Sequence, residues 1–136
     1  PAAHAIVRVE IAGGRTWVGL ADEAGRFAVL LPYPPLADAG GGGSPPVAGG
    51  GLRDAVWPIA VRIRHDPPPL PPVPGSHLPD YRSVLRQAAA PIWPIAPGDG
   101  GLPQPEWLGE LRFGEDVVIR TAGSARLLVG TDWSSP

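Results

Sequence analysis

Thr16-Trp17-Val18-Gly19-Leu20-Ala21-Asp22-Glu23-Ala24-Gly25-Arg26-Phe27-Ala28-Val29-Leu30-Leu31-Pro32 is the stretch whose reading decides the fold. It predicts two β-strands joined by a tight acidic turn. Phe27, Val29 and Leu31 fall on one face of an extended chain, with Arg26, Ala28 and Leu30 on the other. Side chains alternate faces along a strand, so this spacing suits a half-buried one. Before the turn, Thr16, Val18 and Leu20 alternate with Trp17 and Gly19. That puts the Trp17 ring opposite the Val18 face, exposed or covering an edge. The connection is Asp22-Glu23-Ala24-Gly25. Asp at the start of a turn can bond its own backbone two residues on, and Gly takes the positive φ of a type I turn with a bulge. Asp22 and Gly25 are therefore structural turn residues in this reading. Pro32 ends the second strand because it has no N–H to give.

Upstream, His4 to Ile11 reads as a strand with Ala5, Val7, Val9 and Ile11 on one face and Arg8 and Glu10 on the other. Residues 12–15 form the turn that follows it. Downstream the pattern stops over 36–52, where the glycine runs 40–43 and 49–51 have nothing to bury. That composition predicts a flexible linker or long surface loop. A strong strand follows, with Trp57, Ile59, Val61 and Ile63 facing one way and Arg62 and Arg64 the other. Pro58 near its start points to an edge position or a strand beginning.

Residues 66–79 are proline-rich, and 67–74 predict an extended polyproline II spacer. The segment is either a stiff connector or a docking peptide for an aromatic groove, with Pro69, Leu70 and Pro72 as its contacts. Residues 80–90 carry the one helical pattern: Tyr81, Val84, Leu85 and Ala88 share a stripe, Asp80 can cap the start and Pro91 should stop it. Residues 91–105 are again irregular and hold Trp93. Strand texture returns at Leu111–Phe113, Val117–Thr121 and Leu127–Val129, with turns at 114–116 and 122–124. Seven strand candidates and one short helix predict an all-β protein. The architecture expected is a seven-stranded Greek-key β-sandwich, one domain over 1–136 with long Pro/Gly-rich loops.

The 136 residues carry 11 basic groups against 13 acidic ones, a net of −2. This balance speaks against an electrostatic nucleic-acid binder and gives no polybasic membrane signal. Every basic residue is Arg, and Ala, Gly and Pro are abundant, a pattern of GC-rich coding. With no cysteine there is no disulfide or thiolate metal site. No apolar run reaches the ~20 residues of a spanning helix, and no signal peptide is visible. The chain starts at Pro1 without Met. Of removal of an initiator Met and excision from a longer polypeptide, the second is the expectation.

Chemistry is thin. His4, His65 and His77 lack metal-ligand spacing. Ser76, His77 and Asp80 hold the letters of a hydrolytic triad, but triads are assembled from separate parts of a fold. The pairs Asp22-Glu23 and Glu115-Asp116 sit in turns and read as turn chemistry before acid–base work or calcium binding. The glycine runs lack the Lys-Ser/Thr of a phosphate loop. Trp57 reads as core. Trp93, Trp107 and Trp133 lie in irregular or terminal segments, where an indole pins a loop, anchors a protein interface or stacks on a sugar.

The hairpin, with Val7-Arg8-Val9, the run Gly19 to Pro32 and Ile59-Ala60-Val61-Arg62-Ile63, resembles the carboxypeptidase regulatory-like group of transthyretin-type β-sandwich domains. The Asp22-x-x-Gly25-x-Phe27 turn and Leu31-Pro32 carry the likeness, which covers about the first half of the chain. The resemblance implies a non-catalytic module appended to a larger protein. The glycine-rich insert, the helix and the proline-rich segments depart from that pattern. Leu78 to Gln87 and the closing hairpin Leu111 to Leu128 resemble β-sandwich extensions in phage-tail-like contractile injection systems.

The expected function is a non-catalytic structural or interaction module in a larger protein assembly. Its partners are other protein subunits, with no nucleic acid, no membrane insertion and no cofactor. The interaction residues expected are Trp93, Trp107, Trp133, Pro69, Leu70 and Pro72. The competing reading is a carbohydrate-binding or adhesive surface module. The sequence names no compartment, and a cytoplasmic assembly is favoured over a secreted or surface one.

Overall fold

The computed structural model describes residues 1–11, 14–34, 55–66, 70–76 and 78–130. The fold is mostly antiparallel strands with one short helix. Among the described residues the main sheet has five strands: β1 (Ile6–Ile11), β2 (Arg15–Leu20), β3 (Val56–Arg64), β4 (Ala89–Ala90) and β6 (Trp107–Arg112). Their order is β2-β1-β3, with both β4 and β6 paired to the far side of β3. A second, two-stranded sheet pairs β5 (Ile92–Trp93) with β7 (Leu128–Val129).

The core lies on one face of the main sheet. Val7, Val9 and Ile11 of β1 meet Trp57, Ile59, Val61 and Ile63 of β3, and all are buried. The register explains why: Val9 is opposite Val61 and Val7 opposite Ile63, so the two alternating apolar sets coincide. On the outer face, Arg62 Nη1 donates to Glu10 Oε2 at 2.8 Å, and Nη2 lies 2.7 Å from Glu106 Oε2. Pro58 is in a central strand, not an edge one. It sits one position past Ile59, the last β3 residue paired with β1, so its missing N–H breaks no described β1–β3 pair.

The deciding stretch folds differently from its reading. β2 forms its hairpin backwards, with β1, through the turn at Gly14, whose φ is +75°. Trp17 and Gly19 pair with Val9 and Val7 and face the core, so Trp17 packs on the core and Val18 is exposed. Beyond the acidic turn, 27–31 leaves the sheet. Its burial alternates, and Phe27, Val29 and Leu31 pack against the core, but it forms no ladder. The Val29 side chain occupies the space that a Cβ on Gly19 would need. Residues 117–121 repeat the pattern: Val117 and Ile119 pack inward without a ladder. The described strands therefore differ from the seven expected, and no Greek-key connection is established.

The helix α1 (Tyr81–Arg86) is shorter than the predicted 80–90. Asp80 caps it, its Oδ2 accepting from Ser83 N at 3.0 Å. It stops at Gln87 rather than Pro91, because Ala89 and Ala90 pair with Arg64 and Ile63. Of its predicted stripe only Val84 is buried, while Tyr81 and Leu85 are exposed. Of the proline-rich 66–79, residues 67–69 and 77 lie outside the described residues. Residues 71–80 double back, with Val73 N donating to Leu78 O and Asp80 N to Pro71 O, both at 2.9 Å. Gly75, at φ +78°, permits the reversal. The irregular 91–105 contains β5, and its ends are clasped by reciprocal bonds between Ile92 and Gln104 at 2.8 and 2.7 Å. The glycine-rich 36–52 falls outside the described residues.

Candidate interaction surface

The acidic turn is built from its first residue. Asp22 O accepts from Gly25 N at 3.0 Å, and Asp22 N donates to Arg26 O at 2.8 Å. The Asp22 carboxylate accepts from Ala24 N and Arg26 N through Oδ1, and from Arg26 Nε through Oδ2. Gly25 takes φ +74°, as a type I turn with a bulge requires. The backbone bond from Arg26, opposed by some desolvation and joined by the guanidinium, holds the Asp22 carboxyl below its ordinary value. Every carboxylate contact serves the turn itself, while the Asp22 carbonyl also accepts from His4 N at 3.4 Å.

Trp107 turns inward, and Trp93 is held by a hydrogen bond. The Trp93 indole Nε1 donates to Gly130 O at 2.9 Å, across the β5–β7 pair. The Trp93 carbonyl accepts from Thr121 Oγ1, which also accepts from Leu128 N at 2.9 Å. Trp107 lies on the core side of β6, its ring filling the space above Gly109, and it packs against both buried clusters. Both rings remain half-buried. Leu70 is half-buried, and Pro72 is exposed on the doubled-back loop, bridged to Pro79. Trp133 and Pro69 lie outside the described residues.

The triad letters are used locally. Ser76 Oγ accepts from Leu78 N at 3.0 Å, Asp80 caps α1, and His77 lies outside the described residues. His65, at the end of β3, is partly buried, and desolvation lowers its pKa despite the opposing field of Asp66.

Reading the sequence missed the side chains that make the surface apolar. Leu30 is 92 % exposed, and Leu102 and Val118 are each 71 % exposed. Leu108, Leu78 and Tyr81 are exposed as well. Leu30 and Val118 had a legible signal, since each is an apolar residue on the outward side of an alternating run. An open groove of about 730 Å³ enters between the layers. Val7 and Ile63 of the sheet line it, together with Phe27, Val117, Ile119 and Leu127.

In comparisons with known proteins, no family model, no curated protein and no solved structure matched the chain.

Proposed function

We propose that this chain is a non-catalytic structural or interaction module of a larger protein assembly, built on a carboxypeptidase regulatory-like, transthyretin-type sandwich. A phage-tail-like contractile injection particle is the assembly that its resemblance suggests. One observation carries the reading: Leu30, Leu102, Leu108 and Val118 stand largely in water, and Val118 does so at the open apolar groove lined by Phe27, Val117 and Ile119. Covering apolar surface returns ~25 cal/mol per Å², so such side chains favour contact with a partner. A sugar-binding platform draws less support, because the Trp107 ring packs against the core and the Trp93 indole N–H is bonded to Gly130 O.

The test is isolation of the native particle or complex under mild conditions, followed by cross-linking. A stoichiometric protein partner with cross-links near these side chains is the expected result. A chain that leaves the native extract as a monomer would end the proposal.

A further inference from the structure

The layer over the main sheet is made of strand-like segments that have no strand partners. Residues 27–31 and 117–120 alternate between half-buried and exposed, as strands do. Yet among the described residues their backbone N–H and C=O groups make no hydrogen bonds to other backbone. Such groups are obligatory hydrogen-bonders and form ladders wherever a neighbour at strand spacing is present. Val117, Val118 and Ile119 of the second segment line the groove of about 730 Å³, the first segment reaches it only through Phe27, and Val7 and Ile63 lie beneath. An apolar trough flanked by unused ladder groups has the chemistry of a strand acceptor: side chains fill the trough and main chain satisfies its rims.

We infer that this groove receives an extended strand from a partner protein, with apolar residues at alternate positions. The inference rests on the module reading above and names the surface that such a module would use. A second copy of this chain is a poor donor. Its strands β1, β2, β3 and β6 are already laddered within their own sheet, and its unladdered 27–31 and 117–119 turn their apolar faces to their own core. Residues 35–54 are interrupted by the glycine runs 40–43 and 49–51 and contain no period-two apolar run.

The test uses the whole chain and an octapeptide in which Val or Ile alternates with Thr, with Lys at each end. A second peptide of the same sequence carries N-methyl groups at alternate amides, which removes ladder donors and leaves the side chains. Amide hydrogen exchange is followed on the protein. The expected result is saturable binding, slowing of exchange by at least tenfold within 118–120, and loss of at least tenfold in affinity on N-methylation. Absence of binding, or equal binding of both peptides, overturns the proposal. So does slow exchange of these amides in the peptide-free protein, because the layer would then have closed on itself. A native complex whose stoichiometric partner leaves these amides exchanging rejects the strand site and leaves the module reading intact. A monomer in the native extract rejects the module reading itself.

Discussion

Gln87 is the residue on which three parts of the chain converge, and it is fully buried. Its Nε2 donates to His4 O at 2.8 Å and to Val84 O at 3.1 Å, and its Oε1 accepts from Asp66 N at 3.2 Å. One amide thus joins the lead into β1, the end of α1 and the exit of β3. It holds the carbonyl of His4, whose φ of +58° is the left-handed conformation that non-glycine residues rarely take. Gln87→Leu keeps the volume but strands buried polar groups, each costing about 1–3 kcal/mol. A loss of about 3 kcal/mol is expected, read as a lower urea midpoint at unchanged slope. His65 sets a pH dependence. Burial lowers its folded pKa below the ordinary 6.5, so the unfolded chain binds the proton first as pH falls. Stability should be flat above that value, decline as pH drops from about 6.5 through the folded pKa, and level off below it. His65→Gln should abolish that step in a series of pH-controlled melts. Neither role was legible. A buried amide and a solvent-facing one have the same letter, and the partners of Gln87 lie 83 and 21 residues away.

β6 shows how an element's register assigns a side chain its work. Trp107 and Gly109 share the core face of the strand, and the indole lies over the glycine. A Cβ at Gly109 would collide with the ring, so the pair acts as one packing unit. Gly109→Val should drive Trp107 off its site, with a red-shifted tryptophan emission and about 1–3 kcal/mol of lost stability from overpacking. β1 and β3 were readable in full because each buries one face beneath the same covering layer, so period-two alternation is complete in both. β2 was readable as a strand but not in its facing, since Thr16, Val18 and Leu20 look as apolar as Trp17 and Gly19. Only its pairing with β1 decides, by placing Trp17 beside Val9. The helix end was misread for a related reason: Pro91 is a visible stop, but the pairing of Ala89 and Ala90 with β3 overrides it earlier.

The whole molecule joins a well-laddered sheet to a layer held by side chains. Tyr33 shows what substitutes for a ladder there. Its hydroxyl accepts from Gly114 N at 2.8 Å, and its ring stands 4.8 Å from Phe113 and 5.6 Å from Trp57. Amides of β1 and β3 should exchange slowest in the isolated chain and those of 28–31 and 118–120 fastest, a ranking that mass-resolved exchange would give directly. Similar rates in the two sets would show that both layers open together. Composition and alternation made the all-β class legible, because period-two runs need no partner to be seen. The missing ladder was invisible: Phe27-x-Val29-x-Leu31 reads the same whether its backbone is paired or not. The proposed interaction residues fared unevenly for a similar reason. An indole in an irregular segment does not reveal its internal hydrogen-bond acceptor, here Gly130, which lies 37 residues further on.

The bond between Gln87 and His4 also has a temporal side. On a ribosome adding roughly 5–20 residues per second, His4 emerges about 4–17 s before its partner has been made, 83 positions later. For the first part of that interval the β1–β2 hairpin stands without β3, which ends at Arg64, and its apolar face has only itself to cover it. The nascent chain is most open to capture by a chaperone in that window; β3 ends it, and the Gln87 bond, made after α1, then ties down the lead into β1.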